Sequence, residues 1–310
     1  MNKNYCAIAF YHIVPIENPQ FEVKEHKKLF EKLDITSRIY ISPDGINGQM
    51  SASLEAAQEY IEWMQRDPRF QKIHFKLDPI KEHVFVRKTV KFREQLVAFD
   101  GELDLSERGE HISPKKWKQE LEGAEPYVLI DVRNAYESKI GHFENAECPE
   151  LDCFRDFDQY TEDLKGRVDP SKTKVMMYCT GGIRCEFYSA HMKKHGFDRI
   201  YQLEGGVINY GHKVGDDKWQ GKLFVFDDRM AVDIDGAPAE VISHCSFCSA
   251  KSDSYYNCAN MDCNELFLAC PECIEGVRGC CCKECEGAER LRPFDPARGN
   301  KPFRKKHLLD

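Results

Sequence analysis

Apolar positions along the first hundred residues change period several times, and each change marks an element. Residues 5–14 (Tyr-Cys-Ala-Ile-Ala-Phe-Tyr-His-Ile-Val) form a mostly apolar run of strand length. From Val23 to Leu33 the period becomes helical, with Val23, Leu29, Phe30 and Leu33 as the apolar positions. Arg38–Ser42 returns to strand character, Pro43-Asp44-Gly45 marks a turn, and Gln49–Ala52 resumes extended structure. Leu54–Gln65 predicts a second helix, with Ser53 placed to cap its first turn. Ile73–Leu77 and Val84–Val86 close the pattern as strands. The order β-α-β-β-α-β predicts a split-βαβ, ferredoxin-like sandwich, a platform whose fold alone implies no activity. Within it, the glycines of Pro43-Asp44-Gly45-Ile46-Asn47-Gly48 fit either close backbone approach to a ligand or an ordinary hairpin connection. Val86–Ala98 is expected to link this platform to a central domain.

The central region carries longer apolar runs. Tyr127–Val132 and Val175–Tyr178 predict buried strands, and Glu186–Lys194 predicts a helix. Between the second strand and the helix lies Tyr-Cys-Thr-Gly-Gly-Ile-Arg-Cys-Glu (178–186), where the candidate chemistry is concentrated. Cys179 ends the strand. Gly181 and Gly182 permit a tight turn that points several N–H groups at the sulfur. The helix behind adds positive potential at its N-terminus, and Arg184 adds a fixed charge. Each feature favours thiolate over thiol, the reactive form of cysteine. Thr180, Ile183 and Cys185 complete the loop, Cys185 either as a structural thiol or as one that resolves an oxidised Cys179.

The chain ends in a different composition. Ten of its 15 cysteines fall between residues 245 and 285. They include the pairs Cys245/Cys248, Cys258/Cys263, Cys270/Cys273 and Cys282/Cys285, with Cys280 and Cys281 as two extra thiols. Eight paired thiols match two tetrahedral all-cysteine zinc sites. A cross-braced module would use Cys245, Cys248, Cys270 and Cys273 in one site, and Cys258, Cys263, Cys282 and Cys285 in the other; adjacent pairing is the alternative. Full cysteine ligation leaves no position for a catalytic water, so zinc here would be structural.

Charge and hydropathy narrow the class. No apolar run approaches the ~18 residues that span a bilayer, and the start of the chain has neither the basic region nor the apolar core of a secretion signal. A cytoplasmic protein without membrane association is expected, and clustered cysteines in a reducing compartment favour metal over disulfide. The net charge of −8 gives no global attraction for nucleic acid. Local basic surfaces must supply any: Arg87, Lys88, Lys91 and Arg93, and the stretch Arg290, Arg292, Arg298, Lys301, Arg304, Lys305, Lys306. The latter is expected to be a flexible tail over 291–310.

The spacing of Cys179 and Arg184, Cys-x4-Arg, is one residue tighter than the Cys-x5-Arg of cysteine phosphatases and resembles the active loop of rhodanese-like domains, which carry sulfur as a persulfide. Asp131-Val132-Arg133, Glu137, Gly141-His142-Phe143 and Leu203-Glu204-Gly205-Gly206-Val207 follow the rhodanese order. By that resemblance Asp131 and Arg133 brace the loops around the cysteine within an α/β domain built on a parallel sheet. The whole chain, an acylphosphatase-like or ferredoxin-like platform (1–95), a rhodanese-like domain with its linker (96–225) and a cysteine-rich module (226–290), is similar to the rhodanese-related tRNA uridine(34) hydroxylase family. The resemblance implies conversion of wobble uridine to 5-hydroxyuridine by molecular oxygen and an unidentified electron donor, with Cys179 as the active cysteine. It also implies a tRNA anticodon stem-loop as substrate and an electron- or sulfur-donating partner protein. The basic cluster Arg87–Arg93 would contact that tRNA. A plain sulfurtransferase carrying persulfide on Cys179 is the competing reading, and a non-catalytic adaptor is the third.

Overall fold

The computed structural model describes residues 4–99, 103–150 and 156–295. Its first unit is a sheet of β1 (Tyr5–Ile13), β2 (Ile35–Ser42), β3 (Gly45–Ser53), β4 (Lys76–Ile80) and β5 (Lys88–Phe92), which lie in the order β4-β1-β3-β2-β5. The first four strands and the helices α1 (Pro19–Phe30) and α2 (Leu54–Gln65) make the expected ferredoxin-like sandwich. Ser53 caps α2 by accepting from Ala56 N. That helix buries Ala56, Ala57, Tyr60 and Met64 against the sheet. Burying Met64 contributes about 1.5–3 kcal/mol before ordering costs.

Three expectations for this unit differ, the first being the strand expected at Ile73–Leu77, which is displaced to Lys76–Ile80 as β4. Val84–Val86 is not a strand: Val84 and Phe85 pack with Ala7 and Ile80 in a small apolar cluster, and Val84 N donates to Ser51 Oγ. Instead Lys88–Phe92, expected within a linker, pairs in parallel with β2 as an edge strand. Its exposed Lys91 suits an edge, where charge discourages pairing with another chain. Pro43–Asp44 is the hairpin turn, and Gly45–Gly48 opens β3. Gly45 has φ +143°, and a Cβ there would lie 2.0 Å from His12 O; one on Gly48 would lie 2.3 Å from the Phe10 ring. Those glycines are therefore required by β1 packing.

The second unit is a parallel sheet of β6 (Glu110–Ile112), β7 (Tyr127–Asp131), β9 (Lys174–Tyr178) and β10 (Arg199–Leu203), in the order β6-β10-β9-β7. Between β7 and β9 come α4 (Ala135–Ser138), β8 (Gly141–Phe143) and α5 (Phe157–Lys165), and α3 (Pro114–Glu122) precedes β7. Helices α6 (Ile183–Lys194) and α7 (Gly206–Lys213) follow β9 and β10. All five residues of β9 are buried, as in a parallel strand covered on both faces. This is the rhodanese-like topology, with the loop after β9 at the carboxyl edge of the sheet. Beyond it β11 (Trp219–Gly221) pairs with β8. The chain then enters the cysteine-rich unit, with β14 (Tyr255–Asn257), β15 (Leu266–Leu268), α8 (Pro271–Gly276) and α9 (Lys283–Glu286), after a β12 (Leu223–Phe224) and β13 (Ala231–Val232) pair.

The stretch after α9 starts as part of this unit. Arg290 pairs with Asp262 at 2.6 Å, and Arg292 is buried, donating to Cys258 O and Asn264 Oδ1. Arg292 is thus structural, contrary to the expected loose tail over 291–310; Arg298, Lys301, Arg304, Lys305 and Lys306 lie outside the described residues.

Candidate active site

β9 delivers Cys179 to the floor of the loop, and α7 holds the loop from behind. Val207 N and Ile208 N donate to the carbonyls of Cys179 and Thr180 at 3.0 and 3.2 Å. Gly206 makes that contact possible, since a Cβ there would fall 2.5 Å from Cys179 O. Gly182 turns the chain with φ +106° and donates its N–H to Cys179 Sγ at 3.1 Å. The Cys179 thiol is fully buried, which by itself would raise its pKa. The Cys185 thiol, the Arg184 guanidinium and the N–H groups of Gly182 and Arg184 outweigh burial and bring it down to about 5. Cys185 is pushed the other way by burial and by the adjoining Cys179. One sulfur is thus a thiolate and its neighbour the thiol that donates to it.

This geometry carries a pH prediction. The folded-state pKa of Cys179 lies below that of an unfolded thiol, so the thiolate persists as pH falls until about 5 and is lost below it. The difference in ultraviolet thiolate absorbance between the wild type and Cys179→Ser is expected to titrate near pH 5; a midpoint near an ordinary thiol value would refute the assigned cradle.

Arg184 is positioned by a residue that the sequence reading did not include among the site residues. Glu137, fully buried on α4, accepts both guanidinium nitrogens of Arg184, one at 2.8 Å, together with Thr180 Oγ1 at 3.1 Å and Asn134 N at 3.2 Å. Burial would raise its pKa, but Arg184 and Arg133 hold the carboxyl below its ordinary value. Asp131 and Arg133 form a fully buried bidentate pair, and Arg133 also donates to Gly141 O at 2.6 Å. Their role is to join β7 to β8. Among the described residues their hydrogen bonds do not reach Cys179.

The platform contributes directly to this loop. Lys76, on β4, is 3% exposed and donates to Gly181 O at 2.6 Å. Burial lowers its pKa to about 8, with Cys179 acting in the opposite direction. Tyr11, on β1, donates to Glu186 Oε1 at 2.6 Å, and Glu186 also meets His111 at 2.9 Å and Arg108 at 3.2 Å. Glu186 follows Cys185 at the start of the helix behind the loop. Lys76 gave no signal, because Ile73, Phe75 and Leu77 suggest that it faces water; in the structure Leu77 is 41% exposed and Lys76 buried. Tyr11, Lys76 and Glu186 form the inner wall of a cleft of roughly 630 Å³ between the two units, whose outer lining includes Lys72, Arg108, Lys115 and Lys213.

The basic cluster on the platform edge is less uniform than expected. Lys88 donates to the carbonyls of Phe30 and Leu33, satisfying the C-terminal end of α1, and Arg93 lies 4.8 Å over the Tyr40 ring. Lys88 is therefore a capping residue; Arg87 and Lys91 are exposed.

In the cysteine-rich unit the interleaved arrangement is observed. Cys245, Cys248, Cys270 and Cys273 form one group with ligand atoms all within 4.8 Å, and Cys258, Cys263, Cys281 and Cys285 form the other. Each group could hold a metal ion. Cys281 thus takes the place expected of Cys282, whose sulfur lies beside the group, 3.9 Å from Cys281 Sγ, as an additional thiol. The unit touches the site's support: Tyr255 donates to Tyr136 O at 2.5 Å, beside Glu137.

A ferredoxin-like platform sealed onto a rhodanese-type thiolate loop, with a cysteine-rich module behind, defines a multidomain protein of the rhodanese class. Comparisons agree: residues 5–96 match the UPF0176 acylphosphatase-like domain, 113–213 the rhodanese-like domain and 220–286 the domain described as Rhodanase C-terminal. The chain is 54% identical to the tRNA uridine(34) hydroxylase of Chlamydia felis, covering 100% of this chain and 96% of that one. It is 51% identical to the same-named protein of Protochlamydia amoebophila, covering 98% and 95%. This chain belongs to the tRNA uridine(34) hydroxylase family.

Proposed function

We propose that this protein hydroxylates uridine 34 of tRNA at carbon 5, and that the buried Cys179 thiolate is its nucleophile. The observation that carries the chemistry is a sulfur held anionic near neutrality by Cys185, Arg184 and loop N–H groups. Thiolate attack at carbon 6 of uracil forms a C–S bond and moves the 5,6 π pair toward carbon 5 and the adjoining carbonyl as an enolate. One atom of molecular oxygen then bonds to carbon 5. The other leaves as water with two electrons and two protons from an external donor, an electron-donating partner being its source. Loss of the carbon 5 proton and expulsion of Cys179 restore the ring. Arg184 and the loop N–H groups face the developing negative charge.

The cleft supports a tRNA substrate. In a chain of net charge −8, Lys72, Arg108, Lys115 and Lys213 concentrate positive charge beside the Cys179 loop, where an unstacked anticodon base could be read. Arg87, Lys91 and Arg93 on the platform edge would extend that surface, and Lys88 would act through α1. Charge reversal at Lys72 and Lys213 is expected to weaken tRNA binding across sequences and to reduce its salt slope by about one for each phosphate no longer neutralised. An unchanged affinity at matched salt would remove this cleft from the binding surface.

The two cysteine groups fit zinc. Tetrahedral thiolate ligation at ~2.3 Å separates sulfurs by about 3.8 Å, and the structure places Cys248–Cys270 at 3.7 Å and Cys263–Cys281 at 3.7 Å. Cys281 N and Asn260 Nδ2 donate to Cys258 and Cys285 sulfurs, as thiolates require. Zinc would supply folding energy to the module, and a cytoplasmic setting suits both tRNA and reduced thiols.

The deciding experiment is nucleoside mass spectrometry of bulk tRNA from cells lacking the protein, rescued with the wild type or Cys179→Ser. Return of 5-hydroxyuridine or its derivatives with the wild type alone is expected. Levels independent of the protein, with purified enzyme moving sulfur from thiosulfate, would replace this reading with sulfur transfer.

A further inference from the structure

Helices α5 and α6 present a polar cluster that the chemistry above does not use. His191 and His195 are four residues apart at the end of α6, and Asp158 and Glu162 are four apart on α5, so each pair shares a helix face. The two faces meet. His191 Nε2 lies 3.1 Å from Asp158 Oδ1, His195 Nδ1 lies 2.6 Å from Glu162 Oε1, and the imidazole centroids are 4.3 Å apart. One ligand atom from each of Asp158, His191 and His195 falls within 4.8 Å of the others. Metal–ligand bonds of ~2.0–2.2 Å place two ligands of one ion roughly 3–3.5 Å apart. Closure onto an ion therefore needs side-chain rotation, with the helices left in place.

A second observation points the same way. His191 is 4% exposed, yet its Nε2 has no hydrogen-bond partner, because the approach to Asp158 lacks the alignment of a hydrogen bond. Leaving a buried polar atom unsatisfied costs about 1–3 kcal/mol; a cation would engage its lone pair. Glu162 also meets Lys165 at 3.2 Å, so Asp158 is the carboxylate that completes the triad and Glu162 the partner that orients His195.

We propose that Asp158, His191 and His195 form a third metal site, for a divalent transition-metal ion of the zinc type, which fastens α5 to α6. Two imidazoles and a carboxylate suit zinc over magnesium or calcium, which prefer oxygen ligands throughout. The mixed nitrogen and oxygen set also separates this site from the two thiolate groups. Because α6 begins at the Cys179 loop, the ion would anchor the far end of the helix that carries Arg184.

Metal content tests this on the full chain. The wild type, His195→Gln and Asp158→Asn are equilibrated against buffered free Zn²⁺, and bound zinc is then counted by mass spectrometry of the elements. The variants change an exposed side chain, Asp158, and a partly buried one, His195, and zinc retained at the cysteine groups reports that each still folds. The expected result is one equivalent more in the wild type than in either variant, and a zinc-dependent rise in Tm that both variants lose. Equal zinc content in all three proteins overturns the site. If one variant loses the cysteine-bound zinc as well, the other decides.

Discussion

Replacing Arg184 with methionine is expected to move the Cys179 pKa from about 5 into the range of roughly 6–8 and to lower hydroxylation at neutral pH by at least ~100-fold. The two effects have different sizes and different causes. Removing an adjacent guanidinium from a buried thiolate typically shifts it by about one to three pKa units. Even the larger shift leaves about a tenth of the protein as thiolate at neutral pH, so ionisation accounts for roughly tenfold at most. The remainder comes from losing a fixed donor for the charge that develops in the transition state, about 10²–10³ for such groups. Arg184→Lys separates them: a lysine keeps a charge but cannot span both Glu137 oxygens, so the pKa is expected to recover further than the rate.

Glu137 extends the same test to stability. Left without Arg184, its fully buried carboxylate loses its direct ion pair and keeps only Thr180 Oγ1, Asn134 N and the field of Arg133, a defect of up to about 3–5 kcal/mol. Its folded pKa is held low, so this stabilisation is present above the ordinary carboxylate range and fades as pH falls through the folded value. The double variant Glu137→Gln, Arg184→Met is expected to recover Tm without recovering turnover. A single Arg184→Met protein with unchanged thiolate titration and unchanged rate would show that the loop does not work through this charge.

The second large effect is expected in the cysteine-rich unit, and it discriminates between adjacent residues. Cys281→Ser should lose one zinc equivalent and unfold the module around Cys258, Cys263 and Cys285, whereas Cys282→Ser should retain both metals and near-native Tm. Metal binding at such sites supplies about 10–16 kcal/mol of folding free energy at neutral pH, far more than the packing of a single thiol. Because Tyr255 of this unit holds Tyr136 beside Glu137, chelation should also slow turnover through the Glu137–Arg184 pair. Equal zinc content in the two variants, or zinc loss from Cys282→Ser alone, would reverse the assignment.

Local signals reached some of these features. The strand, glycine turn and helix around Cys179 are written in consecutive residues, and so is the Ser53 cap of α2. Cysteine spacing likewise located the two groups able to hold a metal but not Cys281, since Cys280, Cys281 and Cys282 are consecutive and only the folded chain sets which sulfur falls within 4.8 Å of the other three. Glu137 lay within the rhodanese motif order, although its partner is 47 residues away.

The amino-acid sequence by itself determined most elements of the platform, the order of the units and the loop around Cys179, because these depend on period, turn chemistry and spacing along a short stretch of chain. Tertiary structure alone decided which face of the platform is buried. Alternation in Ile73–Leu77 favours a single apolar face toward the platform core, yet the opposite face is covered by the rhodanese-like unit. Docking turned Lys76 from a solvent-facing residue into a buried ammonium on Gly181 O and brought Tyr11 onto Glu186. A strand's period records its contacts within its own sheet; it carries no record of a second surface that folds against it.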